Sequence, residues 1–287
     1  MFRYLSYVLV GSMAGVLAVM ALGILGSGLS ERLGGGPGVA LVALDTTMAE
    51  AASLVRVGAG LFDPDLDRPI PGVMVFARYP DGQTVPLWAP RSGVCFGGRR
   101  GRLPRGPHPY EVAFPDTGPR AGVQSRGTVW VEPGGADVVW VDAAAVVGVG
   151  PGTDAAPAAG QAGRQALEAL AAGRVLVYLV AAELRDYAPA RRHVAESGCP
   201  AGPVVWLPPS GERSVLAALR QAWPHVAAAL VCTPALAEAA AVVKVKAIRV
   251  PRADGAAEEP GEAARAWPDV IRTLGPAGGG AAAPRER

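Results

Sequence analysis

The stretch Val138-Val139-Trp140-Val141-Asp142, followed by Ala143-Ala144-Ala145-Val146, decides how this chain is read. Four bulky apolar residues in a row, three of them β-branched, are the pattern of a strand buried on both faces of a parallel sheet. The closing carboxylate lands at the C-terminal edge of that sheet. The side chains of the next four residues hold no metal, shuttle no proton and bind no phosphate. The run reads as the scaffold strand of an enzyme fold without the working groups that should follow it.

Downstream of Asp137 the pattern is strand, helix, strand. A Gly/Pro/Ala-rich loop leads to a helix expected near 164–172, then to the apolar run 175–180. A helix near 188–196, the turn Gly198-Cys199-Pro200-Ala201-Gly202 and a strand at 203–207 follow. Residues 214–222 read as a helix, 227–232 as a strand, 234–242 as a helix with proline in its first turn, and 247–250 as a last short strand. A closing helix is expected over 261–274, interrupted at Pro268. Apolar strands alternating with helices imply a parallel sheet covered on both faces.

Upstream the period is different. Residues 72–79 read as a strand, Pro80-Asp81-Gly82 as a turn, and 84–88, 110–114 and 127–131 as further strands separated by Gly/Pro/Asp turns. No helical period appears between Pro69 and Val131. Short strands at this spacing suggest a small antiparallel β-sandwich. Residues 34–60 read as a linker that opens on the glycine-rich hinge 33–38.

The bulk composition excludes some partners. Lys+Arg number 27 against 25 Asp+Glu, a net charge of +2, and the arginines are scattered, so no nucleic-acid footprint is present. Residues 4–30 carry no charge and 7–25 are almost wholly apolar and small, long enough to cross a bilayer, for which roughly 20 residues suffice. A cleaved secretory signal is the alternative, but its apolar region is shorter, about 7–15 residues. The expectation is therefore a signal anchor, a single-pass membrane protein with its bulk extracytoplasmic, placed by Arg3 against the nearly cancelling pair Glu31 and Arg32. Cys95, Cys199 and Cys232 lack metal-like spacing and allow at most one disulfide. His108, His193 and His225 are isolated.

The order of features from about Ala136 to Leu274 resembles the haloacid-dehalogenase-like superfamily, in particular the phosphatase-like domain of lipins and of membrane-associated phosphatidylinositol transfer proteins. The residues that carry the resemblance are the strand ending at Asp142, the run 175–180, the turn 198–202 leading into Pro203-Val204-Val205-Trp206, and Ala222-Trp223-Pro224. Active members show four features, each a source of charge or hydrogen bonding for phosphoryl transfer. The first is D-x-D-x-T, whose leading Asp attacks phosphorus, whose second Asp is the acid/base, and whose Mg²⁺ neutralises the phosphate. Asp142 fits the leading position, but Ala144 and Val146 stand where the second Asp and the Thr belong. The second strand should end in Ser or Thr, and Val180-Ala181-Ala182 offers neither. The phosphate-neutralising Lys is missing, with Arg213 the nearest substitute. The acidic pair after the fourth strand is replaced by Val231-Cys232-Thr233-Pro234-Ala235, with Glu238 already inside the next helix.

Phosphoryl transfer is nearly all positioning and electrostatics, so four altered places imply a pseudoenzyme. The expected architecture is α/β: a Rossmann-like, haloacid-dehalogenase-like parallel sheet preceded by a small β-sandwich and an N-terminal transmembrane helix. Its expected parts are an anchor (1–33), a linker (34–60), the sandwich (61–133), a degenerate α/β domain (134–275) and a disordered tail (276–287). The expected role is non-catalytic binding or scaffolding. The alternatives are a divergent phosphohydrolase and a phospholipid-headgroup module.

Asp142 is the vestigial site candidate, and Glu183 and Arg213 are weaker ones; no cofactor and no metal are expected. Glu183 and Asp186 also read as favourable charge at a helix N-terminus. Asp63, Asp65 and Asp67 look like a calcium loop but lack its central Gly and terminal Glu, and read as a solvated turn. Arg99, Arg100, Arg102 and Arg105 form the densest positive cluster, a flexible loop by default that could touch anionic lipid. The partners expected are the membrane through the N-terminal helix and an anionic lipid or a protein, with no nucleic acid.

Overall fold

A computed structural model describes residues 38–79, 81–115, 123–147, 160–253 and 266–275. Its strands are β1 (Ala40–Leu44), β2 (Thr46–Ala49), β3 (Leu54–Asp63), β4 (Arg68–Pro69), β5 (Met74–Arg78), β6 (Thr84–Trp88), β7 (Val94–Arg100), β8 (Gly106–Ala113), β9 (Gln124–Glu132), β10 (Val138–Asp142), β11 (Val175–Ala181), β12 (Val204–Leu207), β13 (Val226–Val231) and β14 (Ala247–Arg249). The helices are α1 (Gln161–Ala171), α2 (Leu184–Glu196), α3 (Glu212–Ala222), α4 (Pro234–Val242) and α5 (Trp267–Leu274), with one 3-10 turn at Ala143–Ala145.

The strands fall into three sheets of four, five and five strands. The chain separates into two compact units. One gathers residues 38–43, Gly58–Gly97 and Tyr110–Arg126; the other gathers Leu44–Val57, Gly98–Pro109 and the chain from Gly127 onward.

In the first unit β5 pairs antiparallel with β6 and with β8. Val75, Ala77, Leu87 and Val112 alternate inward and are buried, as a half-buried antiparallel sheet requires. Asp63 Oδ1 accepts from the backbone N–H groups of Asp65 (2.9 Å) and Leu66 (3.1 Å), which makes 63–67 a self-bonded turn. Tyr110 donates its hydroxyl to Gly58 O at 2.7 Å. The Cys95 thiol reaches Ala59 O, and burial pushes it up to about 11, out of the reactive range.

The second unit is organised on a parallel sheet in the order β12-β11-β10-β13-β14. β10 pairs with β11 from Val138↔Val175 to Asp142↔Leu179, and with β13 up to Val141↔Leu230. All five residues of β10 are buried. One face carries Val138, Trp140, Val177, Leu179, Ala229 and Val231, covered by Leu216 and Leu219 of α3 and by Leu236, Ala239 and Ala240 of α4. Helix α1 turns Ala166, Leu167 and Leu170 inward and packs beside β11 and α5. At Gly202 an added Cβ would lie 2.3 Å from the Leu176 carbonyl oxygen, so glycine is what lets the chain enter β12 alongside β11. Within this unit β2 also pairs with β9, in parallel, from Thr46↔Val129 to Ala49↔Glu132.

These observations correct the expected architecture. The chain is a mixed α/β structure of three sheets, two of them holding antiparallel pairs, and not one parallel domain led by a self-contained sandwich. The expected linker contains β1, β2 and the start of β3. β2 is held by a partner distant in sequence, and no local pattern announces such a strand.

Among the described residues no helix is long and apolar enough to cross a membrane. The stretches 4–30 and 1–33, on which the membrane anchor, the single-pass placement and the extracytoplasmic assignment rested, lie outside the described residues. Those expectations are withdrawn as unsupported, and the expected tail 276–287 also lies outside.

Smaller corrections follow. Arg99 and Arg100 belong to strand β7 instead of a loop. Pro268 lies in the first turn of α5 instead of interrupting a helix, because proline fits a first turn where its missing N–H has no partner to lose. Helix α2 starts at Leu184, with Pro189 inside it.

Candidate functional site

In a parallel sheet that reverses its strand order, the crevice outside the carboxyl ends at the point of reversal is where ligands bind. Here that point is β10, flanked by β11 on one side and β13 on the other. Asp142 is its last residue. The chain turns there because the carboxylate caps the 3-10 turn: Oδ1 accepts from Ala144 N–H at 3.0 Å. Oδ2 accepts from Cys232 N–H, also at 3.0 Å, just past the end of β13. Asp142 is 4% exposed.

The chain after β14 laces across this place. Val250 N–H donates to Val231 O (2.9 Å), the Cys232 thiol reaches Pro251 O (3.8 Å), and Ala253 N–H donates to Ala144 O (2.8 Å). The segment 250–253 thus crosses the ends of β13 and the 3-10 turn. Burial pushes the Asp142 carboxyl up, against the opposing pull of the two N–H bonds and of the Arg252 charge. A carboxyl that is buried, accepts two backbone N–H bonds and is overlaid by chain organises a turn well.

The other two sequence candidates follow β11 and β12 at the same sheet edge, and Arg213 is engaged by another residue. Arg213 bonds Glu238 Oε1 at 2.7 Å, with the two side chains 61% and 69% exposed. Such a surface pair contributes at most about 1 kcal/mol. Glu183 is the N-cap residue of α2 but makes no side-chain capping bond. Among the described residues no group of three or more His, Cys, Asp or Glu is placed to hold a metal ion. The three cysteines are free thiols.

A buried polar cluster among the described residues of the second unit was not visible in the sequence. Asp45 Oδ1 accepts from Arg191 Nη1 and from Thr128 N–H, each at 3.0 Å. The Val204 N–H also donates to this carboxyl. Tyr187 Oη accepts from Asp45 N–H (2.9 Å) and donates to Val204 O (2.8 Å). The Arg191 guanidinium lies 5.8 Å from the Tyr187 ring centroid. Two side chains therefore satisfy the outer backbone groups of Val204 on edge strand β12, where an exposed edge would otherwise invite pairing. The only sequence signal was a lone carboxylate ending the apolar run Ala40-Leu41-Val42-Ala43-Leu44.

Burial also pushes the Asp45 carboxyl up, more than Arg191 and its N–H donors pull it down. Asp45 and Asp142 consequently hold protons more readily in the folded chain than in the unfolded one. Their contribution to stability is complete below the unfolded value of about 3.9 and is lost as pH rises through the raised folded values. The urea midpoint is expected to be higher at pH 5 than at pH 7.5, and the difference to shrink in Asp142→Asn. A midpoint that climbs with pH would contradict this assignment.

No family model matches the chain, and no curated protein matches it. Among solved structures, a carbohydrate acetylesterase from Xanthomonas citri is similar over 79% of this chain and 71% of that chain, at 12% identity and a TM-score of 0.30. A likeness of that strength carries no argument about fold or activity.

Proposed function

We propose that this chain is a non-catalytic, pseudophosphatase-like binding or scaffolding protein, in which Asp142 is the relic of a nucleophile and now serves as a structural cap. One observation supports the reading: each Asp142 oxygen accepts a backbone N–H, from Ala144 and from Cys232, and the residue is 4% exposed, so the carboxyl is buried at the strand end. A nucleophile needs a lone pair aimed at its target, and phosphoryl transfer needs further charge placed with it. The rival reading, a divergent phosphohydrolase using Asp142 with Arg213 or Glu183, has against it the pairing of Arg213 with Glu238.

The test is hydrolysis of p-nitrophenyl phosphate by the purified chain with and without Mg²⁺, beside the Asp142→Asn variant. The expected rate is that of buffer for both proteins. Mg²⁺-dependent turnover that drops by about a hundredfold or more in the variant would overturn the proposal. Asp142→Ala should instead reveal the structural role. It orphans two buried N–H groups at about 1–3 kcal/mol each, read from the urea midpoint.

A further inference from the structure

Arg249, the last residue of β14, is 7% exposed. Its Nε finds no hydrogen-bond partner, and no carboxylate pairs with it among the described residues. A guanidinium does not shed its proton at any ordinary pH, so burial cannot be relieved by neutralisation. A buried N–H left without an acceptor is costly, and a group that accepts from Nε would offset that cost.

The surroundings say which end of the sheet this is. Arg249 stands level with Val231 in the β13–β14 register, and alternation puts it on the face of Ala247, which packs against the cluster containing Leu236, Ala239 and Ala240 of α4. Helix α4 starts at Pro234, immediately beyond β13, with Thr233 as its N-cap. Its N-terminus therefore lies at the same end and on the same face as the Arg249 side chain. Pro234 has no N–H and the Leu236 N–H already bonds Thr233 Oγ1, so this N-terminus attracts an anion chiefly through its dipole. A charged fork and a helix N-terminus at one place have the same preference.

We propose that Arg249 anchors a binding site for a small oxyanion, a phosphate or carboxylate group, between the end of β14 and the N-terminus of α4. The guanidinium supplies two parallel N–H donors to such a group, a geometry that ammonium does not reproduce. The occupant is a small molecule, because a residue so nearly enclosed is out of reach of a protein or membrane surface. The site does not rest on the non-catalytic reading.

The test is thermal unfolding and titration calorimetry of the full chain with sodium phosphate and with sodium acetate, against sodium chloride of equal ionic strength. Phosphate or acetate is expected to raise the unfolding temperature saturably by a few degrees, and the anion that does so names the headgroup. In Arg249→Met the rise disappears, while the unfolding temperature in chloride equals or exceeds that of the parent, since a buried N–H without a partner among the described residues has been removed. Arg249→Lys keeps the charge and is expected to weaken binding by about tenfold or more. Arg213→Gln, at the exposed pair, retains the full response. The proposal is overturned if neither oxyanion shifts the parent beyond chloride. It is equally overturned if Arg249→Lys binds as the parent does, or if Arg249→Met unfolds the chain in chloride.

Discussion

Replacing Asp45 with alanine is expected to lower the stability of the chain by about 3–5 kcal/mol, the range found when one member of a buried ion pair is removed. The Asp45 side chain is 6% exposed and the Arg191 side chain 25%. Without the carboxylate, Arg191 keeps a charge it cannot lose, and the N–H groups of Thr128 and Val204 are left without an acceptor.

The reciprocal variant Arg191→Met behaves differently with pH. The Asp45 carboxyl, already raised by burial, can take up a proton, so the loss should be smaller at pH 5 than at pH 7.5. The double variant Asp45→Leu/Arg191→Met should recover much of the loss, because a buried pair replaced by apolar groups is often close to neutral. Urea denaturation of the four proteins checks this. An Asp45→Ala midpoint within experimental scatter of the parent would mean that the cluster holds nothing together.

Trp140→Ala is expected to cost about as much, roughly 3–5 kcal/mol, through the cavity left by a fully buried indole. Trp140 sits in the middle of the central strand, with Val177 on one side and the small Ala229 on the other. It packs in the cluster with Leu216, Trp223 and Leu236. Ala229 is what makes room for the ring, so the neighbours cannot close the gap when the ring is deleted. Trp140→Phe is the informative control. The indole Nε1 has no hydrogen-bond partner among the described residues, so phenylalanine loses area but also removes an orphan donor. It should therefore cost well under half of the alanine change. Equal losses in the two variants would mean that the indole N–H is in fact bonded.

Much of the second unit was legible locally. The apolar runs at 138–142 and 175–180 are strands because a strand sealed on both faces needs no polar alternation, and such runs are long enough to be read alone. The helix at Pro234–Val242 was legible from Pro234, a first-turn residue whose effect is local, while the Thr233 cap emerged only from the structure. The expected linker, 34–60, instead holds β1, β2 and the start of β3. Thr46 and Thr47 pair with Val129 and Trp130, and a ladder of that kind leaves no periodic mark in its own segment. The uncharged run at 4–30 was read as a membrane span from length and hydropathy, and no described helix takes that role.

The candidate site divides in the same way. The missing second Asp, Ser/Thr, Lys and acidic pair are facts of composition at fixed spacings, so the chain alone determined that Asp142 stands at a strand end without its chemical partners. That Asp142 is closed by Cys232 N–H and overlaid by residues 250–253 was decided by tertiary structure, as were the burial of Arg249 and the knot at Asp45. The physical reason is range. Propensity, capping and alternation act between neighbours in the chain, whereas desolvation and charge pairing depend on which distant segments exclude water together.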